Sequence, residues 1–204
     1  MKSSIFKLGP YLLWSQADEN QAADILPDQI KTFKEISSPS AFFKKLSSGY
    51  LWVMDSAMAV ACDRLSMRRL TAIARETQAG MVYSDFLLDS GQSVSPYPLN
   101  DYQEGSLRDN FNFGHFYLLS AAVIHDALKK YGAPPKDASV ALYDLRLKIS
   151  IHHALVHVPE FLYTASIRKL KPVKSPAGKT EAHFAYVARE NFIRQQKMEK
   201  ITTA

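Results

Sequence analysis

Apolar and polar positions change period several times along the first half of the chain. "SIFKLGPYLLW" reads as strand, "ADENQAADIL" as a short helix that Asp18 or Asn20 can cap, and "QIKTFKEI" as strand again. "SSPSAFFKKLSS" then predicts a turn and a short helix. The apolar run Tyr50 to Met54 predicts a buried strand that delivers one acid, Asp55, to its end. In "CDRLSMRRLTAIARETQAG" the period lengthens to that of a helix. Asp63 caps its start, Leu65, Leu70, Ile73, Ala74 and Thr77 share a face, and Gly80 stops it. "MVYSDFLL" follows as a strand that ends near Asp85, so strand, helix and strand predict a parallel crossover.

Beyond Asp89 both periods disappear. "DSGQSVSPYPLNDYQEGSLRD" is rich in Gly, Pro, Ser and Asn and predicts a long surface loop, the kind of segment that is functional or disordered in compact domains. "FNFGHFYLLSAAVIHDALKKYG" predicts a helix ending at Gly132. Leu145, Leu147, Ile149 and Ile151 alternate with Arg146, Lys148 and Ser150, a strand by period alone, and "HVPEFLYTA" predicts a further strand. "RKLKPVKSPAGK" reads as a linker and "EAHFAYVARENFIRQQKMEK" as a terminal helix. The expected organisation is an α/β domain over 1–165 and a basic linker and helix over 166–204.

Composition narrows the class without naming a function. The 204 residues are 47% hydrophobic and 22% charged, which suits a globular chain with one substantial core. Cys62 is the single cysteine, so no internal disulfide forms and a reducing, cytoplasmic setting is expected. The opening residues make a poor signal peptide, and no run reaches the ~18–20 apolar residues of a membrane span. The net charge of +5 is uneven: from Ser166 onward nine Lys or Arg face three Glu, leaving sixteen bases and seventeen acids before it. Such a tail reads first as a solvated terminal helix, and otherwise suits an anionic membrane face or a phosphorylated partner. Aromatic residues are not interleaved with its bases, which argues against nucleic acid.

The candidate chemistry is carried by acids. Asp55 and Asp85 stand at the ends of successive predicted strands, where neighbouring side chains could share a ligand across the ~4.8 Å strand spacing; each could equally cap the loop that follows it. Asp101, Asp109, Asp144 and Arg146 add charge in segments able to fold over the same edge. His152, His153 and His157 raise a zinc reading, but no cysteine or carboxylate completes a tetrahedral set beside them. Cys62 reads as a buried thiol rather than a nucleophile, having no evident His partner. Sequence cues for dinucleotide, P-loop and α/β-hydrolase chemistry are absent.

Taken in order, "YLWVMDS", the capped helix, "AGMVYSDF", "YPLNDYQEGSLRDNFNFGHFYL", "LYDLRLKIS" and "LVHVPEFLYT" resemble a family-two glycosyltransferase domain of the type-A fold, closest to a bacterial subgroup with a similar tail. The resemblance spans roughly residues 50–200. It implies an α/β fold with a mixed, mainly parallel sheet flanked by helices and a short N-terminal half. It also implies a helix where Leu145 to Ile151 alternates. The implied function is inverting transfer of a sugar from a nucleotide-sugar to a glycan or lipid-linked acceptor, in cell-envelope polysaccharide synthesis at the cytoplasmic face of the membrane. Asp144 then falls on the general base, Asp55 on the first acid of a Mn²⁺ or Mg²⁺ motif, and Glu35 on the acid for the nucleotide base. Asp85, Asp101, Arg108 and Asp109 fall on the acceptor side, and Asp85 and His157 become further candidate metal ligands. The chain departs from the family where Ser56, Ala57 and Met58 stand in place of further acids. An inactive glycosyltransferase-like domain that binds a glycan or partner protein is the alternative.

Overall fold

The computed structural model describes residues 4–16, 33–46, 49–103, 111–167 and 196–201. Its strands are β1 (Phe6–Leu8), β2 (Tyr11–Gln16), β3 (Lys34–Glu35), β4 (Tyr50–Asp55), β5 (Met58–Ala61), β6 (Met81–Asp89), β7 (Val94–Tyr97), β8 (Phe116–Ser120) and β9 (Leu155–Ile167). Helices α1 (Pro39–Lys44), α2 (Arg64–Thr77), α3 (Ala121–Tyr131) and α4 (Ala138–Ser150) pack on them, and a last helix, α5, covers 196–201. All nine strands join one mixed sheet in the order β3-β1-β2-β4-β8-β6-β9-β5, with β7 beside β6. The predicted helices at Asp18–Asn20 and over most of the tail lie outside the described residues. No helix among the described residues is long and apolar enough to cross a membrane.

Ser56 and Ala57 alone link β4 to β5, yet β5 pairs with β9, beyond β8 and β6. Two residues span both positions only because the sheet curls into a half-barrel that brings its far edge back to β4. On the face toward which β5 folds, α2 buries Met67, Leu70 and Ala74 against Trp52, Met54, Val82, Phe116 and Val158. On the other face α1, α3 and α4 cover Leu51, Val53, Met81, Tyr83, Tyr117 and Leu119. Strand alternation assigns these two sets, since successive side chains point to opposite faces.

The sheet is not mainly parallel. Only β1 with β3 and β6 with β9 pair in parallel; the other six pairings are antiparallel. β4 and β6 do run the same way, as the crossover predicts, but β8 lies between them and opposes both. That strand comes from the apolar run Phe116–Leu119, which the sequence reading merges into one helix with the residues after it. The helix begins only at Ala121. A four-residue apolar run fits either element, and length alone could not separate them.

α2 starts where expected, with Asp63 accepting the Ser66 N–H at 2.7 Å. It ends on Gln78 in the left-handed region at φ 53°, before the predicted Gly80. Leu65, expected on the buried face, is 71% exposed. Gly80 has a packing role instead: a Cβ there would meet Ile149 Cγ2 at 2.5 Å and His153 Cβ at 2.9 Å.

The stretch with strand-like alternation is helix α4, as the family resemblance implies. Ala141, Leu142, Leu145 and Ile149 face the sheet. Val140, Tyr143 and Leu147 face Met198 and Ile201 of α5 on the opposite side. A helix buried on two sides has no single apolar stripe, so alternation mimics a strand. The expected long loop also contains structure, since β7 forms a hairpin with β6 and Tyr97 stacks on Phe86 at 4.8 Å.

Candidate functional site

Asp55 closes β4 opposite Tyr11 of β2, on the face that carries Leu51 and Val53. Its backbone N–H donates to the His115 carbonyl at 2.9 Å. Its carboxylate accepts the Ala57 N–H at 2.9 Å and faces His115 Nδ1 at 3.2 Å. Burial pushes this carboxyl upward, but the His115 bond, the Ala57 amide and the His115 charge together hold it below the ordinary carboxylate range. His115 is aimed by its neighbour Gly114, whose φ of +75° an L side chain rarely adopts. Its own N–H donates to the Tyr163 hydroxyl at 2.8 Å, and its ring stands edge-on to Phe86. The partner of Asp55 is thus the histidine that immediately precedes β8.

Asp85 has a second histidine. His157 on β9 lies opposite Tyr83, stacked on its ring at 5.0 Å, and its Nε2 is 2.7 Å from Asp85 Oδ1. The other ring nitrogen, Nδ1, is 2.7 Å from Asp101 Oδ1. Both bonds form together when both ring nitrogens carry hydrogen. Asp85 also accepts the Leu99 N–H at 2.7 Å, and the Tyr83 hydroxyl donates to the Asn100 carbonyl at 2.8 Å. The loop after β7 is therefore pinned to the sheet edge at three successive residues. Between Ser84 and Phe86 the β6–β9 register jumps from Val158 to Tyr163. Pro159, which cannot donate to a ladder, lies in that detour.

The expected sharing of one ligand by Asp55 and Asp85 fails on topology. With β8 between their strands, two spacings put them about 10 Å apart. Among the described residues no group of three or more His, Cys, Asp or Glu is placed to hold a metal. Asp55 and His115 offer one carboxylate and one imidazole, which by themselves fall short of the ~6 ligands a hard divalent cation takes.

Other expected site residues are scattered. Glu35 pairs with Lys7 at 3.2 Å on β3, three strands from β4, or roughly 14 Å away. Asp101 joins the Asp85–His157 group while staying 85% exposed at its side chain. Arg108 and Asp109 lie outside the described residues. Asp144 is buried and paired with Lys148 at 2.8 Å, and Lys148 also donates to the Gly132 and Ala133 carbonyls beyond α3. Burial pushes the Asp144 carboxyl above its usual range and Lys148 partly offsets this. His152 stacks on Tyr131 and His153 meets Asp126 at 3.4 Å, so neither joins His157. Cys62 is buried, with its thiol on the Leu162 carbonyl at 3.5 Å.

From α4 the side chain that faces the strand edge is Arg146. At 100° per residue Arg146 lies about 160° around the helix from Asp144. Its guanidinium sits 5.1 Å above the Phe113 ring, beside Tyr117. Tyr117 lies between Val53 and Tyr83 on the same face as Asp55. Burial raises its hydroxyl pKa, Arg146 pulls it back, and the Tyr11 and Asp55 charges raise it further. The guanidinium acts on this hydroxyl mainly by its charge, their direct contact falling outside hydrogen-bond geometry. Tyr117 Oη and Arg146 Nε are both fully buried without a hydrogen-bond partner. Each such orphan costs about 1–3 kcal/mol. Sequence reasoning missed His115, Tyr117, Tyr163 and the role of Arg146, since nothing local marks them; the glycine before His115 is the one visible signal.

No protein-family model and no curated protein matches this chain. The class that fold and site define is a curled α/β half-barrel with one Asp–His pair where β4 meets the start of β8 and another where β6 meets β9.

Proposed function

We propose that the chain is a glycosyltransferase-like domain of the type-A fold that binds a nucleotide-sugar at the edge formed by β4, β8, β6 and β9. The observation that carries this reading is that Asp55, at the end of β4, and Asp85, midway along the β6 strand that runs the same way, are each braced by a histidine, His115 just before β8 and His157 on β9. Ligands of open α/β sheets bind outside the carboxyl ends of strands, the position that Asp55 occupies. In the reading, Asp55 and His115 would hold a divalent cation, which would supply charge stabilisation for a leaving diphosphate. Asp85, His157 and Asp101 line the acceptor side. The resemblance assigns the base to Asp144, whose raised pKa suits a proton acceptor. The Asp85–His157 pair is the competing base, because Asp144 stands on the α3 flank.

One observation favours the inactive alternative, a domain of this shape that binds a glycan or partner protein. Ser56 and Ala57, where further acids are expected, form the tight link into β5, and the Ala57 N–H is taken up by Asp55.

Calorimetry and thermal shift with UDP, GDP, CDP and dTDP, with and without Mn²⁺, test both. A ligand at a hundred times its dissociation constant stabilises the fold by about 2.7 kcal/mol. The expected result is a metal-dependent response to one nucleotide, lost in Asp55→Ala. With the acceptor class then in hand, Asp144→Asn and Asp85→Asn should separate the two candidate bases by loss of transfer with binding retained. No response to any nucleotide at millimolar concentration overturns the enzymatic reading.

A further inference from the structure

We propose that Tyr117 and Arg146 form an oxyanion subsite that takes a phosphoryl group beside the Asp55–His115 pair. The inference rests on the nucleotide-sugar reading for the identity of the ligand, and on the geometry for the existence of the subsite. Two donors from different elements, the Tyr117 hydroxyl on β8 and the Arg146 Nε–H on α4, are both buried and both without a partner. Buried polar groups are satisfied in the great majority of native structures, and an orphaned pair in one place calls for an absent ligand. Among the described residues no carboxylate lies within ion-pair distance of Arg146, whereas Asp144, two positions away, has Lys148. The guanidinium is nevertheless held, by the face of Phe113.

The packing of α4 explains why this cation stays in place. With one side on the sheet, the opposite side on Met198 and Ile201, and the Asp144–Lys148 flank toward α3, the remaining flank can turn only toward Tyr117. The guanidinium is a planar fork of N–H donors, which matches phosphoryl oxygens, and a hydroxyl donor from the strand meets such a group from a second direction. Asp55 lies on the same face of the adjoining strand, so its carboxylate repels an anion bound at Tyr117 unless a divalent cation stands between them. Phosphoryl binding should therefore tighten when Mn²⁺ is present.

The test is titration calorimetry of the full chain with inorganic phosphate, pyrophosphate and UDP, with and without Mn²⁺, with acetate as the control. Pyrophosphate is expected to bind more tightly than phosphate, more tightly with Mn²⁺, and acetate not to compete. Arg146→Gln should weaken pyrophosphate by about tenfold or more, the loss of a hydrogen bond to a charged group. Arg146→Lys, which keeps the charge without the fork, should fall between. Tyr117→Phe keeps the ring and loses only the donor, so it stays folded and still weakens binding. Circular dichroism confirms that each variant is folded. Equal affinity in wild type and Arg146→Gln, or no binding of any phosphate at millimolar concentration, overturns the subsite. UDP binding that ignores Arg146 overturns the subsite and leaves the nucleotide-sugar reading standing. Arg146-dependent pyrophosphate binding with no nucleotide preference supports the subsite and removes that reading.

Discussion

Gly114→Ala should destabilise the protein in a way that a second substitution partly repairs. The backbone at Gly114 has φ +75°, and forcing an L residue there costs about 1–2 kcal/mol. A Cβ at this position would also overlap the Tyr163 hydroxyl, the rigid end of a buried ring. That hydroxyl accepts the His115 N–H at 2.8 Å, and displacing it adds about 1–3 kcal/mol. The sum, about 2–5 kcal/mol, is a large part of the 5–15 kcal/mol by which domains are typically stable. In Tyr163→Phe the offending oxygen is gone. The next atoms from a Cβ are Leu99 Cδ1 at 3.2 Å and the Tyr163 Cζ position at 3.6 Å, the second an ordinary contact. Gly114→Ala should thus cost only its backbone share, about 1–2 kcal/mol, when Tyr163→Phe is already in place. Urea unfolding of the four proteins of the cycle measures this as a coupling energy. A cost for Gly114→Ala that is the same in both backgrounds would refute the clash as its origin.

Two further expectations concern titration. Tyr83, Tyr117 and Tyr163 all have hydroxyls pushed above the ordinary value of 10.0, chiefly by burial. Because the fold accommodates their neutral forms, their contribution is complete below pH 10 and lost as pH rises past it. Absorbance titration should show these three of the ten tyrosines ionising only with unfolding; early ionisation of all ten would count against their burial. At the other end of the scale, Asp137 is lowered from 3.8 to about 2 by Lys197 of α5 and by Ser139. The pair is largely exposed and worth at most about 1 kcal/mol. Its share of α5 docking is present above pH 3.8 and lost as pH falls through about 2, and Lys197→Ala should raise the Asp137 titration, read by NMR, while the two Ser139 bonds still hold it below 3.8. An unmoved Asp137 would show that α5 does not dock there in solution.

How much was legible depended on how local the determinant is. The cap of α2 on Asp63 and the strand ending at Asp55 are written in short windows, because caps and alternation act over a few residues, whereas the single strand expected over "SIFKLGPYLLW" turns at Gly9 and Pro10 into the hairpin of β1 and β2. The sequence alone therefore determined that Asp55 closes a strand; Asp85, expected at a strand end, lies midway along β6, which runs on to Asp89. Only the tertiary structure decided what they face. Strand order is set by non-local pairing, so nothing within "FYLLS" says that it slides between β4 and β6 and separates Asp55 from Asp85. The same pairing supplies His115 from sixty positions away and His157 from seventy-two. α4 shows the complementary limit: its alternating residues face two different partners, and only the sheet and α5 together make that pattern a helix. Arg146 beside Tyr117 follows from this packing, since a helix turned by its buried faces chooses which charged side chain meets the strand edge.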